Sequence, residues 1–152
     1  MNLLSDDDFL RVIQNTPLVS IDFIIQNSSG EFLLGKRLNK PAKNFWFVPG
    51  GRIRKNEKIE DAFLRLTFDE LKTPLEFNGA ALRGVYQHHY EDSYASDNIS
   101  THYVVLAYDV NEDVNLERLP LEQHNSYKWF DINELMKSDD VHLYTKNYFQ
   151  NR

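Results

Sequence analysis

"VPGGRIRKNEKIEDAFLRLTFDELK", residues 48–72, joins a glycine pair to a stretch with helical spacing. Gly50-Gly51 directly after Pro49 reads, taken alone, as a turn. From residue 57 to 72 the pattern is that of a helix. At 100° per residue, Ile59, Ala62, Phe63 and Leu66 share one face, and Glu70 falls on it. Leu64, Phe68 and Leu71 form a patch on another side, so both sides are expected to be covered. A carboxylate beside a core is costly unless a cation meets it; the alternative is that Glu70, near the helix end, reaches solvent. Glycine lets a backbone group come close to a ligand. Arg52 and Arg65 carry planar forks that suit phosphate oxygens. Mg2+ prefers oxygen donors and is commonly held by one or two carboxylates plus substrate phosphates. One Glu, a backbone carbonyl and a diphosphate would meet that demand. Between Arg65 and the Asp69-Glu70 pair, where another carboxylate would help to hold metal, stands Leu66.

Around this stretch the chain reads as strands with further helix at the end. Ser5 and three following Asp residues give an N-cap and an acidic first turn, with Phe9, Leu10 and Ile13 as the apolar stripe. "LVSIDFIIQ" (18–26) and "EFLLGKR" (31–37) are strands joined by the turn "NSSG". "FWFVP" is a short strand running into the glycine pair. Strands follow at about 82–90, at 101–110 and in "SYKWFD"; "INELMKS" and "VHLYTKNYF" are terminal helices. Strands around one long helix, with more helix at the end, suggest an α/β (α+β) sandwich.

The 152 residues suit one domain, 1–152. With no cysteine, disulfides and thiolate zinc sites are excluded. No apolar run approaches membrane-spanning length, and "MNLLSDDDFL" is acidic, unlike a signal peptide; a cytoplasmic location and no membrane partner are expected. A net charge of -6 without any Lys/Arg run argues against a long nucleic acid, leaving a small polyanion held by a few placed arginines.

Residues 51–73 resemble the Nudix box, Gly-x5-Glu-x7-Arg-Glu-(apolar)-x-Glu-Glu-x-Gly-(apolar). Gly51, Glu57, Arg65 and Glu70 match it. Asp69 stands for a Glu, Leu66 for the Glu after the Arg, Thr67 for an apolar residue and Lys72 for the late Gly. This set of departures resembles the GDP-mannose mannosyl hydrolases, a variant branch of that superfamily that cleaves the sugar's carbon–oxygen bond. The likeness continues through "TPLVSIDFII", "GEFLLGKR", "FWFVPGGR", "THYVVL" and "EQHNSYKWF".

The resemblance implies a Nudix-like α/β/α sandwich with a mixed sheet around one central helix, and one Mg2+ per subunit, replaceable by Mn2+, at the Gly50 carbonyl, Glu70 and Gln123. It implies Arg37 and Arg52 on the diphosphate, with Arg65 among the substrate-binding residues, and GDP-mannose or GDP as ligand. A nucleoside diphosphate is a weakly basic leaving group, so metal and arginine can replace the acid of ordinary glycosidases. His124, after Gln123 in a polar loop, becomes the general base, a task suited to imidazole. Asp22 and His88, inside predicted strands, contact the sugar in this reading; a polar outward face is the alternative. Tyr103 is either a phosphate donor or core. Asp8 with Phe9 would supply an acceptor and a stacking face for guanine, with segment 1–16 at a homodimer interface; otherwise they are a first turn and a core side chain. Two other functions compete: a nucleoside-diphosphate-sugar pyrophosphatase attacking phosphorus, against which Leu66 argues, and a non-catalytic nucleotide-binding module.

Overall fold

A computed structural model describes residues 3–121 and 124–150, with 124 and 125 as backbone only. The branched run of β1 (Leu18–Gln26) is buried at nearly every position, because helices cover both faces of the sheet it centres. With β2 (Phe32–Arg37), β3 (Trp46–Phe47), β4 (Gly50–Arg52), β5 (Ala81–Tyr90), β6 (Thr101–Asn111) and β7 (His124–Phe130) it forms one seven-stranded sheet. The path is β3-β2-β1-β6-β5, with β4 on β1 and β7 on β2. Only β1 and β6 run parallel; the other pairs are antiparallel, so the sheet is mixed as expected.

On one face, α2 (Ile59–Leu71) buries Ala62, Phe63, Leu66 and Leu71 against Ile21, Phe23, Ile25, Tyr108 and Val110. On the other, α3 (Ile132–Lys137) and the segment around α4 (Leu143–Asn147) cover Ile24, Leu34, Phe47 and Ala107 with Leu135, Val141 and Tyr148. The result is the predicted α/β/α sandwich. The N-terminal helix α1 (Asp6–Asn15) is capped as read, the Ser5 hydroxyl accepting from the Asp8 N–H at 3.2 Å. Among the described residues, no helix is long and apolar enough to cross a membrane.

Three local readings change. Leu64 and Phe68 are exposed, at 46% and 53%, so the second apolar patch of α2 is covered only at Leu71. Thr67 lies in the buried face instead: its hydroxyl donates to the Phe63 carbonyl at 2.9 Å and accepts from the Leu75 N–H at 2.9 Å, pinning the chain beyond the helix. The glycine pair is not a turn. It is the start of β4, and the "FWFVP" strand ends at Phe47.

Candidate active site

Strand β4 explains its own glycines. The flanking bonds Phe23 N–H to Pro49 O (2.9 Å) and Ile53 N–H to Val19 O (2.8 Å) leave Gly50 and Arg52 at the narrow, non-hydrogen-bonded positions opposite Asp22 and Ser20. Their carbonyls therefore point away from β1. A Cβ on Gly50 would lie 2.4 Å from both Asp22 Oδ1 and the Ile21 carbonyl. One on Gly51 would lie 2.4 Å from a Leu66 methyl. Gly50 thus makes room for Asp22, and Gly51 makes room for the leucine that replaces the acid.

The outward carbonyl of Arg52 is taken by Arg65 Nη2 at 2.9 Å. Arg65 also bonds Glu57 through Nε (2.7 Å) and Nη2 (2.9 Å), and lies 3.7 Å from Asp69. Glu57 in turn accepts from the Arg54 N–H at 3.0 Å, and Arg65 holds its carboxyl below the usual range. Arg65, expected to bind substrate, is committed to this clamp; it lines a cavity but serves to position β4 and the loop after it. That cavity, about 430 Å³, is bounded by Gly51, Arg52, Arg65, Leu66, Asp69, Glu70 and Tyr127 among others. Glu70 is 6% exposed, beside the core as its helical phase predicted, whereas the Asp69 side chain is 51% exposed. Among the described residues, no three His, Cys, Asp or Glu side chains cluster as a metal cage. The buried Glu70 carboxylate, and the Gly50 carbonyl that points away from β1 at the edge of an adjoining cavity, are oxygen donors of the kind Mg2+ takes together with phosphates and water. Gln123, the third implied ligand, lies outside the described residues.

The box's late glycine has a local meaning as well. Lys72 occupies that position and closes α2 in the left-handed region, at φ 54°. Glycine reaches this conformation without a Cβ penalty. Lys72→Gly is expected to stabilise the fold by about 1 kcal/mol; an unchanged or lower denaturation midpoint would contradict that.

A second cavity, about 360 Å³, opens on the other side of Gly51 and Arg52. It gathers Phe9, Asp22, Arg37, Gly50, Arg52, His88 and Tyr103, so most of the expected substrate residues meet in one place. Asp22 and His88 are buried, at 7% and 4% exposure; the outward polar face is not where they lie. Burial raises the Asp22 carboxyl to about 7, against the hydrogen bond from Tyr148 and the charge of Arg37. Burial, then the charges of His142 and His89, lowers His88 to about 4. Tyr103, half-buried and opposite His88, is likewise pushed up by burial. Arg37 is steadied by Nε donating to the Pro41 carbonyl at 2.9 Å. Arg52 lies over the Phe9 ring, 4.1 Å from its centroid, so one face of Phe9 already has a partner. Asp8 is a correction within the chain: it is exposed and lines neither cavity. His124 opens β7, and its backbone pairs with Arg37 at a register shift; its side chain lies outside the described residues.

Tyr148 was missed. It sits near the chain end, and nothing in its local pattern marks it. It is fully buried, and its hydroxyl donates to Asp22 Oδ2 and lies 3.3 Å from His88 Nε2.

The two shifted groups oppose one another in stability. Asp22 goes from 3.8 to about 7 on folding, so its favourable contribution is complete below 3.8 and is lost as pH rises through 7. His88 goes from 6.5 to about 4, so its contribution is present above 6.5 and is lost as pH falls through 4. Between these limits the slopes have opposite sign. Asp22→Asn should unmask the histidine, the variant gaining roughly 3 kcal/mol from pH 4 to 6.5 while the wild type stays flatter. Denaturant midpoints of metal-free protein test this; parallel pH curves for the two proteins would refute it.

Comparison with known proteins agrees with this architecture. The chain superposes on the MutT Nudix hydrolase of Burkholderia pseudomallei with a TM-score of 0.70 at 24% identity, covering 90% of this chain and 98% of that one. For the MutT protein of Methanosarcina mazei Go1 the TM-score is 0.69 at 20% identity, over 90% and 93%. These likenesses establish the Nudix α/β fold. Residues 16–150 match the NUDIX domain, and the chain belongs to that family. It is thus a Nudix-type hydrolase, a class that generally works with a divalent metal such as Mg2+. It is also 35% identical over 146 residues, 95% of this chain and 88% of the other, to the low-salt glycan biosynthesis protein Agl8 of Haloferax volcanii.

Proposed function

We propose that this chain hydrolyses a GDP-sugar, GDP-mannose first and GDP-glucose second, to GDP and free sugar by water attack at the anomeric carbon. One observation carries the reading. Leu66 is seated on Gly51, which leaves Glu70 as the buried carboxylate of the α2 cavity, while the buried Asp22 and His88 stand in the adjoining one. Attack on phosphorus calls for several carboxylates around metal. Departure of a diphosphate from carbon needs mainly neutralisation of that diphosphate. The glycan biosynthesis role in the printed name of the Haloferax relative accords with a nucleotide-sugar substrate.

Arg52, which lines both cavities, would lie along the diphosphate, with Arg37 as a second cation. Held by Glu70, the Gly50 carbonyl and Gln123, Mg2+ or Mn2+ would supply further charge neutralisation there. Asp22, ionised above pH 7, would face positive charge growing at the anomeric carbon, with neutral His88 beside it. His124 would take the proton from the attacking water. With no enzyme nucleophile assigned, one displacement inverts configuration. The reading includes a homodimer whose segment 1–16 lends Asp8 to the neighbouring site; Leu3 and Leu4, 69% and 50% exposed, are apolar surface it would cover.

Product analysis with GDP-mannose and Mg2+ in 18O water is the test. GDP and labelled β-mannose are expected. GMP with labelled phosphate would overturn the reading in favour of a pyrophosphatase, and absence of turnover would leave a nucleotide-binding module.

A further inference from the structure

The groups placed around the sugar come from strands β1 and β5, yet what holds them comes from the far end of the chain. Tyr148 lies just beyond α4, 126 residues from Asp22 and 60 from His88 in sequence. Its backbone is tied down, the Tyr148 carbonyl accepting from Arg83 Nη1 at 2.8 Å. Its ring packs edge-on against Tyr86, 4.7 Å between centroids. One turn earlier Tyr144 lies flat on the His88 ring, 4.3 Å away with planes 1° apart. The Tyr144 hydroxyl donates to the His89 carbonyl at 2.8 Å and accepts from the His89 N–H at 3.1 Å. Two tyrosines of one short segment therefore brace the same strand end.

A phenol has a single hydrogen to give. At Tyr148 it goes to Asp22 Oδ2, so the same oxygen can only accept from His88. That arrangement places the His88 proton on Nε2 and frees Nδ1. It also fixes the rotation of the Asp22 carboxylate, whose Oδ1 takes the space that a Cβ on Gly50 would fill.

We propose that Tyr148 is the positioning residue of the Asp22–His88 pair, holding the carboxylate in one rotamer and selecting the Nε2–H tautomer of His88. It lines neither of the two cavities described above. Its action on turnover rests on the function proposed above; its action on His88 does not.

Three measurements test it. In wild-type protein well above pH 7, where the Asp22 carboxylate is ionised and can only accept, 15N-detected imidazole spectra should show His88 as the Nε2–H tautomer; the Nδ1–H form there would overturn the proposal, whatever the substrate is. In Tyr148→Phe that tautomer preference should be lost; an unchanged His88 spectrum would equally refute it. With GDP-mannose, Tyr148→Phe should lower kcat roughly 10- to 100-fold, the scale of a misplaced reacting group, with KM changed less than about threefold and bound Mg2+ unchanged. In an Asp22→Asn background the same substitution should cost less than about threefold, because the group it positions is gone. Effects that simply multiply would show an unrelated structural role and sink the proposal. If GMP is the product instead, the function reading fails while the tautomer result still decides the role of Tyr148.

Discussion

Glu70→Gln is expected to lower turnover by roughly two to three orders of magnitude, whereas Asp69→Asn should change it less than about threefold. The two carboxylates are neighbours in sequence and lie about 100° apart on α2. Glu70 is 6% exposed in the cavity beside Gly51 and Arg52. The Asp69 side chain is half exposed, with an ion pair to Arg65 at 3.7 Å, a kind of contact worth ~0–1 kcal/mol. Neutralising Glu70 would also remove the anionic donor proposed for the metal, so Mn2+ affinity should fall with activity. Steady-state kinetics at saturating Mg2+ and a Mn2+ titration by magnetic resonance measure both. Equal behaviour of the two variants would refute a metal site built on a single Glu.

His124→Gln is expected to lower turnover by roughly two to four orders of magnitude, the usual range for loss of a general base. The expected loss rests on the function proposed above; the backbone of residue 124 pairs with Arg37, itself part of the cavity wall that holds Asp22 and His88. Glutamine keeps a hydrogen-bonding side chain but cannot take a proton near neutrality. The acidic limb of the pH–rate profile should keep only the step that Asp22, raised to about 7, contributes, and Mn2+ affinity should stay within about threefold of wild type, since His124 is not assigned to the metal. Turnover within about threefold of wild type would move the base elsewhere, with Asp22 the first group to try.

What could be read in the sequence was what repeats locally. The inner face of α2 follows from a 100° step at Ala62, Phe63 and Leu66, though not at Ile59, which is 37% exposed at the helix start, and that step also placed Glu70 beside the core. Branched residues marked β1, and turn residues marked its boundary with β2. The same reasoning overstated the cover on α2: apolarity at Leu64 and Phe68 does not supply a partner, and among the described residues no element buries them. Strand β4 escaped because Gly-Gly-Arg has no strand propensity; it is a strand only because β1 lies against it. Arg65 looked like a phosphate fork, and only the fold shows its donors spent on Glu57 and the Arg52 carbonyl. Tyr148 acts through bonds spanning 126 and 60 residues, a distance at which no spacing rule operates.

The contact of Leu66 with Gly51 bears on how such an enzyme can change over generations. Leu66 is 4% exposed within the core that α2 shares with the sheet. Putting an acid back at this position in one step would strip out a packed side chain worth roughly 2–5 kcal/mol and bury a charge in its place. Domains hold only ~5–15 kcal/mol in all. A variant that gained a carboxylate at this position alone would risk unfolding before it gained any new chemistry. Compensating changes around Gly51 would have to come first, so a site with an acid at position 66 does not lie one mutation away.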